Sequence, residues 1–312
     1  MPRYQIIVNP TSGRGAGLAS IPAIRQNLDA LGVDYTIVQT ERPWHAAELT
    51  QKAVQDGYDV VVGVGGDGTA NEVINGLVLA QKSGLGTASM GMLAVGRGND
   101  FAYSMYIPAG VEAGCQTLVH GQRKQIDIGY VRGGDYPDGR YFGNGVGIGF
   151  DAVVGFVAVK MTRLTGFASY IAAVLKTIFL YFDAPTVKIE SERETLTLPA
   201  LMVSIMNGRR LGGGFMLAPN GDNADGLMDL TIAKQVSRGR VFTLIPHFLK
   251  GTQASQKEII ITQAQRLEVS AVQGFLPVHA DGETICEHGD KISIELLPRQ
   301  IELICQPPQE SA

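Results

Sequence analysis

Apolar and mixed segments alternate over the first 125 or so residues of the chain. The apolar runs that have the length of buried strands lie at 4–8, 34–39, 59–64 and 90–95. Between them, three segments repeat apolar side chains at the three-to-four-residue spacing of an amphipathic helix, at 18–31, 46–55 and 69–81. This alternation predicts a parallel sheet with helices on both faces.

From about residue 124 the pattern changes to short alternating strands separated by turn-forming residues. The predicted strands lie at 125–131, 141–148, 186–190, 194–207, 227–233, 258–262, 266–271 and 291–297. Helical stretches at 153–182 and 236–249 interrupt them. The pattern therefore predicts two domains, an α/β domain over 1–125 and a β-rich domain over 126–297 with an antiparallel, sandwich-like sheet.

Composition agrees with a folded chain of two domains. The 312 residues are 45% hydrophobic and 18% charged, with no biased segment, so the chain is long enough for a well buried core. The net charge of −4 argues against general binding of nucleic acid, which depends on clustered Lys and Arg. We expect no nucleic-acid partner.

The cysteines and the apolar runs bear on the cellular location of the protein. The chain has three cysteines, Cys115, Cys286 and Cys305, without the C-x-x-C spacing of a structural zinc site. Their odd number gives no disulfide framework, and a reducing cytoplasm fits them. The N-terminus has no signal-peptide pattern, and no apolar run reaches the roughly 18 residues of a membrane span. We expect any contact with a membrane to be peripheral.

The stretch VVVGVGGDGTANEV at 60–73 carries the most informative chemistry. Its glycines fit the dinucleotide pattern G-x-G-x-x-G, but no acidic residue lies between Glu72 and Asp100 to bond a ribose. A P-loop is excluded because the chain contains no Gly-Lys pair. The N-terminus of the following helix could hold phosphates, and Asp67 among phosphates would require a cation such as Mg²⁺. The alternative is that Asp67 only caps the helix.

Three loops of this kind follow strands of the predicted parallel sheet, at 9–15, 65–71 and 96–100. Ligands of open α/β folds bind at the carboxyl ends of the strands, so we expect the three loops to converge on a nucleotide. Each loop taken alone has the composition of an ordinary strand-to-helix turn.

GGDGTANEV resembles the signature of the diacylglycerol kinase catalytic domain superfamily, which includes sphingosine and ceramide kinases. The shorter GGDGT is shared with NAD kinases and phosphofructokinases, and Asn71-Glu72 favours the lipid kinases. Further segments resemble the same family in the same order: 7–15 (IVNPTSGRG), 96–102 (GRGNDFA), 206–230 and 279–283 (HADGE). The second of these loops departs from the family pattern, with Ala94 in place of a proline and Arg97 in place of a threonine.

The resemblance implies that the chain binds ATP and Mg²⁺. The nucleotide-binding residues that it implies are Asn9, Ser12, Gly13, Arg14, Thr40, Gly65, Gly66, Asp67, Gly68, Thr69, Asn71, Arg97, Asn99 and Asp100. It also implies that Asp67 acts through Mg²⁺ and that Glu283 is the general base for the acceptor hydroxyl. The last strand, after about residue 297, would return to the first domain, with ATP and acceptor meeting in the cleft between the domains.

Two segments of the second domain leave an alternative open. The resemblance implies a structural metal at 222–227, held by the Asp225 carboxylate and the backbone carbonyls of Asp222 and Leu227, whereas the residues alone fit an Asx turn without metal. The segment HADGETICEH has two histidines among three acidic residues, which raises a zinc site as an alternative.

The helical stretches suggest how a lipid would be reached. The stretch 153–182 combines Lys160, Arg163 and Lys176 with many aromatic residues, and a second basic cluster lies around 234–250. Such helices either cover a core or lie in a membrane interface. We expect docking on the inner face of the membrane by a cytoplasmic protein. A homodimer is one of the arrangements that the sequence allows.

The function expected is therefore an ATP- and Mg²⁺-dependent kinase of a lipid hydroxyl such as that of diacylglycerol. One alternative is a kinase of a soluble acceptor, NAD or a sugar phosphate, which would share GGDGT. The other is a nucleotide- or lipid-binding regulator without catalysis, against which the presence of both Asp67 and Glu283 argues.

Overall fold

The structure is a computed structural model that describes residues 1–160, 166–180 and 184–307. Its first elements are β1 Arg3–Val8, α1 Ser12–Ala30, β2 Asp34–Gln39, α2 His45–Gln55, β3 Val60–Gly65, α3 Asp67–Lys82, β4 Ser89–Ala94, α4 Asp100–Ser104 and α5 Val111–His120. The chain continues with β5 Gln122–Gly133, β6 Tyr136–Phe142, β7 Gly145–Gly149, α6 Phe150–Val159, α7 Gly166–Leu180, β8 Thr186–Ser191 and β9 Thr195–Met206. It ends with β10 Met228–Lys234, α8 Arg238–Lys250, a 3-10 turn at Gln253–Ser255, β11 Ile259–Ala264, β12 Arg266–Gln273, β13 Leu276–Ala280, β14 Glu283–Gly289 and β15 Lys291–Cys305.

Contacts along the chain define two compact units. Unit 1 comprises residues 1–126 and the chain from Arg299 onward, and unit 2 comprises residues 127–298. The chain passes from unit 1 to unit 2 within β5 and returns within β15.

Unit 1 is a parallel sheet in the order β2-β1-β3-β4, with the end of β15 added beside β4. Val62 and Val64 of β3 pack in one apolar cluster with α1 and α5, whereas Gly63 faces Val73 of α3. Because successive strand residues point to opposite faces, helices cover both sides of the sheet. The predicted α/β architecture is confirmed.

The strand order creates a switch point in this sheet. The chain leaves β1 for β2 on one side and then crosses to β3 on the other side of β1. The helices that follow β1 and β3 therefore lie on opposite faces of the sheet, and the carboxyl ends of the two strands mark the place where ligands of open α/β folds bind.

Unit 2 is built around the long strand β9, which belongs to two antiparallel sheets. Residues 195–199 of β9 pair with β8, and residues 202–206 pair with β7. One sheet runs β14-β13-β7-β9-β10-β11, and the other continues through β8, β12 and β15. Apolar side chains from both sheets, such as Val203 of β9 and Val269 of β12, share one buried core. The predicted sandwich-like antiparallel domain is confirmed.

Helices α6, α7 and α8 cover the outer face of the first of these sheets. Met202 and Met206 of β9 pack in one cluster with the three helices, whereas the alternate residues Val203 and Ile205 belong to the sandwich core. Among the described residues, no helix is long and apolar enough to cross a membrane.

Two sequence predictions in unit 2 need correction. The single strand predicted at 141–148 is wrong, because β6 ends at Phe142 and β7 begins at Gly145. The helical stretch predicted at 153–182 contains two helices, α6 and α7. Its predicted start is wrong, because α6 begins earlier, at Phe150. Residues 161–165 and 181–183 of this stretch lie outside the described residues.

The break between β6 and β7 has a clear cause in the carboxylate of Asp281. Its two oxygens accept hydrogen bonds from the backbone N–H groups of Gly143, Asn144 and Gly145, at 2.7, 3.0 and 2.9 Å. The Asp281 side chain is buried, so these three donors depend on it rather than on water. At this point the Asp281 carboxylate thus takes the place of a neighbouring strand as the acceptor for these backbone N–H groups.

Replacing Asp281 with Ala would leave three backbone donors without their acceptor. We expect Asp281→Ala to lower the free energy of unfolding by about 3 kcal/mol or more, measured by urea denaturation. The matched control is Asp290→Ala, at an exposed turn position nearby, which should change it by no more than about 0.5 kcal/mol. Equal losses in the two variants would show that the three hydrogen bonds do not stabilise the fold.

Candidate functional site

The three glycine-containing loops of unit 1 contact one another at the carboxyl edge of the sheet. The Asn9 side-chain amide donates to Thr69 Oγ1 at 3.1 Å, which joins the loop after β1 to the start of α3. The N–H groups of Val95 and Gly96 donate to the carbonyl oxygen of Gly65, at 2.9 and 3.1 Å. The three predicted loops therefore lie together at the switch point.

The loop after β1 has an unusual backbone. Gly13, Arg14 and Gly15 all have left-handed φ angles, of 59°, 61° and 96°, so the regular part of α1 follows them. A Cβ atom at Gly13 would lie 2.2 Å from the carbonyl oxygen of Val95, so no larger residue fits this position. Arg14 is exposed, as is Arg97 in the loop after β4. The loops thus carry two arginine side chains that solvent can reach.

Asp67 occupies the first position of α3, after the N-cap residue Gly66, and no side chain caps this helix. The Asp67 Oδ1 atom instead accepts a hydrogen bond from the N–H of Phe101, at 2.9 Å, in the first turn of α4. The Asp67 carboxylate therefore has a partner outside its own helix. Its carboxylate links the loops that follow β3 and β4.

A second carboxylate lies close to Asp67. The position that a Cβ atom would take at Gly98 is 3.0 Å from Asp67 Oδ2 and 3.5 Å from Asp100 Oδ2. Two carboxylate oxygens near one position suit a hard divalent cation such as Mg²⁺, whose coordination water and phosphate oxygens would complete. The donor set therefore fits the predicted Mg²⁺, and Asp67 and Asp100 are the residues that would hold it.

Other residues of the signature have internal contacts. The Glu72 carboxylate accepts from the N–H groups of Trp44 and Ala46, both at 2.9 Å, and so fixes the N-terminus of α2 and the chain after β2. Thr40 lies in that same segment, where its N–H donates to the Val8 carbonyl at 2.9 Å. Asn71 is fully buried and accepts a hydrogen bond from the side chain of Asn75.

The predicted metal turn at 222–227 contains two Asx turns. The carboxylates of Asp222 and Asp225 accept from the N–H groups of Ala224 and Leu227, at 3.1 and 2.9 Å. Over the described part of the chain, no group of three or more His, Cys, Asp and Glu side chains could hold a metal ion. The turn therefore contains the predicted Asx turns, and the metal held by the Asp225 carboxylate and two backbone carbonyls stays a prediction.

Glu283 begins β14 directly after a tight hairpin turn in unit 2. The turn residues Asp281 and Gly282 have φ angles of 49° and 86°, and Ala280 pairs with Glu283 across the hairpin. The Glu283 side chain is exposed, while Asp281 anchors the same turn to Gly143, Asn144 and Gly145. The predicted base is thus an accessible carboxylate on a firmly held turn.

A cluster of buried polar side chains lies on strands β13 and β9 and at the start of α6. Residues His279, Gly147 and Ser204 stand side by side across β13, β7 and β9. Ser204 Oγ donates to Asp151 Oδ2 at 2.6 Å. Both His279 Nε2 and Asp151 Oδ2 lie within 2.5 Å of the position that a Cβ atom would take at Gly147, hence less than about 5 Å apart. The absence of a side chain at Gly147 makes room for this cluster.

Burial sets the protonation of the two titratable groups. Desolvation raises the pKa of Asp151 to about 7, although the hydrogen bonds from Ser204 and Ala152 oppose the rise. Desolvation likewise lowers the pKa of His279 to about 4, so its ring is neutral. His279 Nδ1 accepts from the Gly282 N–H at 3.4 Å, whereas its buried Nε2 has no hydrogen-bond partner among the described residues. Neither Asp151 nor His279 is among the site residues predicted from the sequence.

A small apolar cavity of about 80 Å³ opens beside Asp151 in unit 2. Helices α6, α7 and α8 and strands β9 and β10 contribute its walls, which include Val154, Val174, Met202, Ala233, Leu244 and Phe248. Asp151 is the one carboxylate among the described residues that line it. The cavity therefore has an apolar wall and one carboxyl group, that of Asp151.

Comparison with known proteins places both units in one family. Residues 3–131 match the diacylglycerol kinase catalytic domain, and residues 144–305 match the YegS C-terminal NAD kinase beta sandwich-like domain. A diacylglycerol kinase of Mycobacterium tuberculosis is 29% identical over 288 residues, which cover 92% of this chain and 90% of that protein.

Solved structures show the same fold. A crystal structure of a diacylglycerol kinase from Bacillus anthracis superposes with a TM-score of 0.73 at 21% identity, covering 98% of this chain and 97% of that one. Yeast NADH kinase complexed with NADH gives a TM-score of 0.50 at 10% identity, over 99% of this chain and 84% of that one. With an α/β catalytic domain and a sandwich domain that each match by sequence, the chain belongs to the diacylglycerol kinase family.

Proposed function

We propose that this protein is an ATP- and Mg²⁺-dependent kinase that transfers the γ-phosphate to a lipid hydroxyl, such as that of diacylglycerol. The observation that carries the proposal is the apolar cavity of unit 2, whose lining includes Asp151 but otherwise consists of apolar and aromatic side chains. An acyl chain gains free energy by leaving water for such a wall. NAD or a sugar phosphate would need polar partners there, so the cavity favours a lipid over a soluble acceptor.

The phosphate donor is assigned to the loops of unit 1. The N-terminus of α3 directs backbone N–H groups and its dipole toward the carboxyl edge of the sheet, where an anion is stabilised. Arg14 and Arg97 are exposed beside these loops and suit phosphate oxygens. Asp67 and Asp100 would hold Mg²⁺, which when bound neutralises negative charge on the phosphates.

Glu283 is assigned to the acceptor. Its exposed carboxylate accepts the proton of the lipid hydroxyl as that oxygen forms a bond to the γ-phosphorus and the bond to ADP breaks. The rigid turn below it limits the positions that the carboxylate can take, which lowers the entropic cost of aligning the base. A regulator without catalysis would have no use for an accessible carboxylate held in this way.

Asp151 supplies the polar end of the cavity, and His279 Nε2 lies less than about 5 Å from the Asp151 carboxylate, behind the cavity lining. Below pH 7 the Asp151 carboxyl group is protonated and can donate a hydrogen bond, and the neutral His279 carries its proton on Nε2, because Nδ1 accepts from Gly282. The protonated Asp151 therefore suits an oxygen atom of a neutral glycerolipid headgroup better than it suits a phosphate.

The proposed reaction is tested with γ-labelled ATP, Mg²⁺ and a total lipid extract, with NAD and hexose phosphates in parallel tubes. We expect label in the organic phase, and we expect Glu283→Gln to lower the transfer rate at least 100-fold, because it removes the proton acceptor. The matched control is Glu287→Gln, an exposed glutamate of the same strand, which should stay within twofold of wild type. Label on NAD or a hexose phosphate alone would refute the lipid acceptor, and near-normal transfer by Glu283→Gln would remove Glu283 from the mechanism.

Filling the cavity tests whether it binds the acyl chain. Ala233 lies in the cavity wall, and Ala233→Leu adds three carbon atoms to the space that the chain would occupy. We expect KM for a long-chain acceptor to rise at least fivefold, while KM for ATP and turnover of a short-chain acceptor change less than twofold. An unchanged KM for the long-chain acceptor in a folded variant would place the acyl chain elsewhere.

The ionisation of Asp151 predicts a pH dependence of stability. Between about pH 4 and pH 7 the folded protein holds a proton that the unfolded chain releases, so this group destabilises the fold as pH rises. Asp151→Asn cannot titrate and keeps an oxygen for Ser204. We expect the free energy of unfolding of Asp151→Asn, relative to that of wild type, to rise by a few kcal/mol between pH 4 and pH 8. Titration of His279 makes stability rise with pH, but it occurs in both proteins. A stability difference between the two proteins that does not change with pH would therefore contradict the raised pKa of Asp151.

A further inference from the structure

Strand β13 buries a histidine on the side of the sheet where α6 lies. Val278 and Ala280, on either side of His279, belong to the core between the two sheets of unit 2. Because successive residues of a strand point to opposite faces, His279 lies on the outer face, next to Asp151 of α6. Its side chain is 1% exposed. A ring so deeply buried depends on protein partners for its two nitrogen atoms.

The two ring nitrogens of His279 have different surroundings. Nδ1 accepts a hydrogen bond from the Gly282 N–H at 3.4 Å, within the turn that leads to Glu283. The ring is neutral, because burial lowers the pKa of His279 to about 4, and its proton is therefore on Nε2. That atom is buried and has no hydrogen-bond partner among the described residues. A buried N–H without a partner costs about 1–3 kcal/mol, so packing alone does not explain a histidine here.

The Nε2 atom lies beside the Asp151 carboxyl group. Gly147 of β7 stands opposite His279, and the position of a Cβ atom there is 2.4 Å from Nε2 and 2.5 Å from Asp151 Oδ2. Ser204 Oγ donates to Oδ2 at 2.6 Å, and the Ala152 N–H donates to Oδ1 at 2.9 Å. The carboxyl group is thus held from two sides. A small rotation of the His279 ring would let Nε2–H donate to it across Gly147.

The turn before Glu283 benefits from an anchor of this kind. The Asp281 carboxylate fixes the first turn residue to the backbone between β6 and β7. The second turn residue, Gly282, has a φ angle of 86° and no side chain that could fix it. Its bond to His279 limits the directions in which the exposed Glu283 carboxylate can extend.

We infer that His279 is a positioning residue, which links the acceptor cavity to the turn that carries Glu283. Asp151 is the carboxyl group of the cavity wall, Gly282 directly precedes Glu283, and one rigid ring lies between them. An acceptor oxygen that bonds to Asp151 changes the hydrogen bonding that Nε2–H meets, and the ring passes this change to Gly282. The role rests on the proposed function, because it concerns the acceptor and the base of that reaction.

Two conservative variants of His279 separate the two contacts. In His279→Asn the amide oxygen takes the place of Nδ1 and accepts from Gly282, whereas in His279→Gln the longer amide takes the place of Nε2 and leaves Gly282 without this acceptor. We expect His279→Asn to keep kcat for lipid phosphorylation within about threefold of wild type. We expect His279→Gln to lower kcat about tenfold or more, with KM for ATP changed less than about twofold, because the base is misplaced while ATP binding is not.

Stability distinguishes positioning from a purely structural role. Both variants replace a buried ring, and the shorter side chain of His279→Asn leaves the larger cavity, so we expect its free energy of unfolding to fall further. Positioning therefore predicts that the less stable variant is the more active one. A kcat that falls in the same order as the free energy of unfolding, measured by urea denaturation, would assign His279 to the fold alone.

Combination with Glu283→Gln shows whether His279 acts through the base. The double variant His279→Gln/Glu283→Gln should be as slow as Glu283→Gln to within about twofold, because the position of a base that is absent has no further effect. Ala233→Leu is the control, since its effect on KM for a long-chain acceptor should persist in the Glu283→Gln background. Losses from His279→Gln and Glu283→Gln that multiply would show that His279 does not act through Glu283.

The histidine ring signals in NMR spectra test the link without turnover. The chain has five histidines, and loss of one signal in His279→Asn identifies that of His279. We expect the free protein to carry the proton on Nε2, and we expect a short-chain diacylglycerol added without ATP to shift the Nε2 signal. A proton on Nδ1 would overturn the contact with Gly282. An Nε2 signal that stays unchanged at acceptor concentrations that saturate phosphate transfer would overturn the link to the cavity.

Failure of this role and failure of the proposed function give different results. Wild-type protein that transfers no label to any lipid would refute the kinase and, with it, the role of His279 in that reaction. Wild-type transfer to lipid with an unchanged kcat in folded His279→Gln would refute the positioning role and leave the kinase intact.

Discussion

The hydrogen bond from the Phe101 N–H to the Asp67 carboxylate is the contact on which the site in unit 1 depends. Asp67 begins α3 and Phe101 lies in the first turn of α4, so one bond of 2.9 Å joins the loops that follow two neighbouring strands. It also orients the carboxylate, because Oδ1 is fixed to the backbone while Oδ2 and the Asp100 carboxylate both lie close to Gly98. A carboxylate in a phosphate-binding loop costs free energy through repulsion unless a cation lies between. If phosphates bind in these loops as proposed, the carboxylate that orders the loops is also the group that would call for Mg²⁺.

Around this contact, the absence of side chains at glycine positions matters as much as the hydrogen-bond donors. Gly65 cannot carry a side chain, because a Cβ atom there would lie 2.2 Å from Thr69 Oγ1, the atom to which Asn9 donates. Glu72 holds the N-terminus of α2, and Asn71 is buried within α3. Part of the signature therefore builds the loops, and only part of it is placed to meet a ligand.

Much of the architecture follows from the sequence because it depends on local periodicity. The runs at 59–64 and 69–81 differ in spacing, and the structure has β3 and α3 at almost the same bounds. The interruption of the strand predicted at 141–148 could not be found in this way, because its cause, Asp281, lies more than 130 residues further along the chain. Asp151 and His279 were likewise beyond reach, since only strand register brings His279 opposite Gly147 and leaves room for the Asp151 carboxylate. Site residues predicted from the resemblance stay predictions, although the loops that carry them in unit 1 lie together.

The helical stretches show why periodicity alone could not decide between a core helix and a membrane helix. A helix with one apolar face has one buried side, but α7 is apolar on both, with Val174 buried and its neighbour Leu175 exposed. Burial against β9 and β10 explains the inner face completely, since the sheet there would otherwise expose Met202 and Ala233. The outer face gains nothing from that packing, and an apolar side chain kept in water lowers solubility without stabilising the fold. Apolar side chains on both the buried and the exposed side of α7 are therefore the reason why apolar spacing alone did not decide its environment.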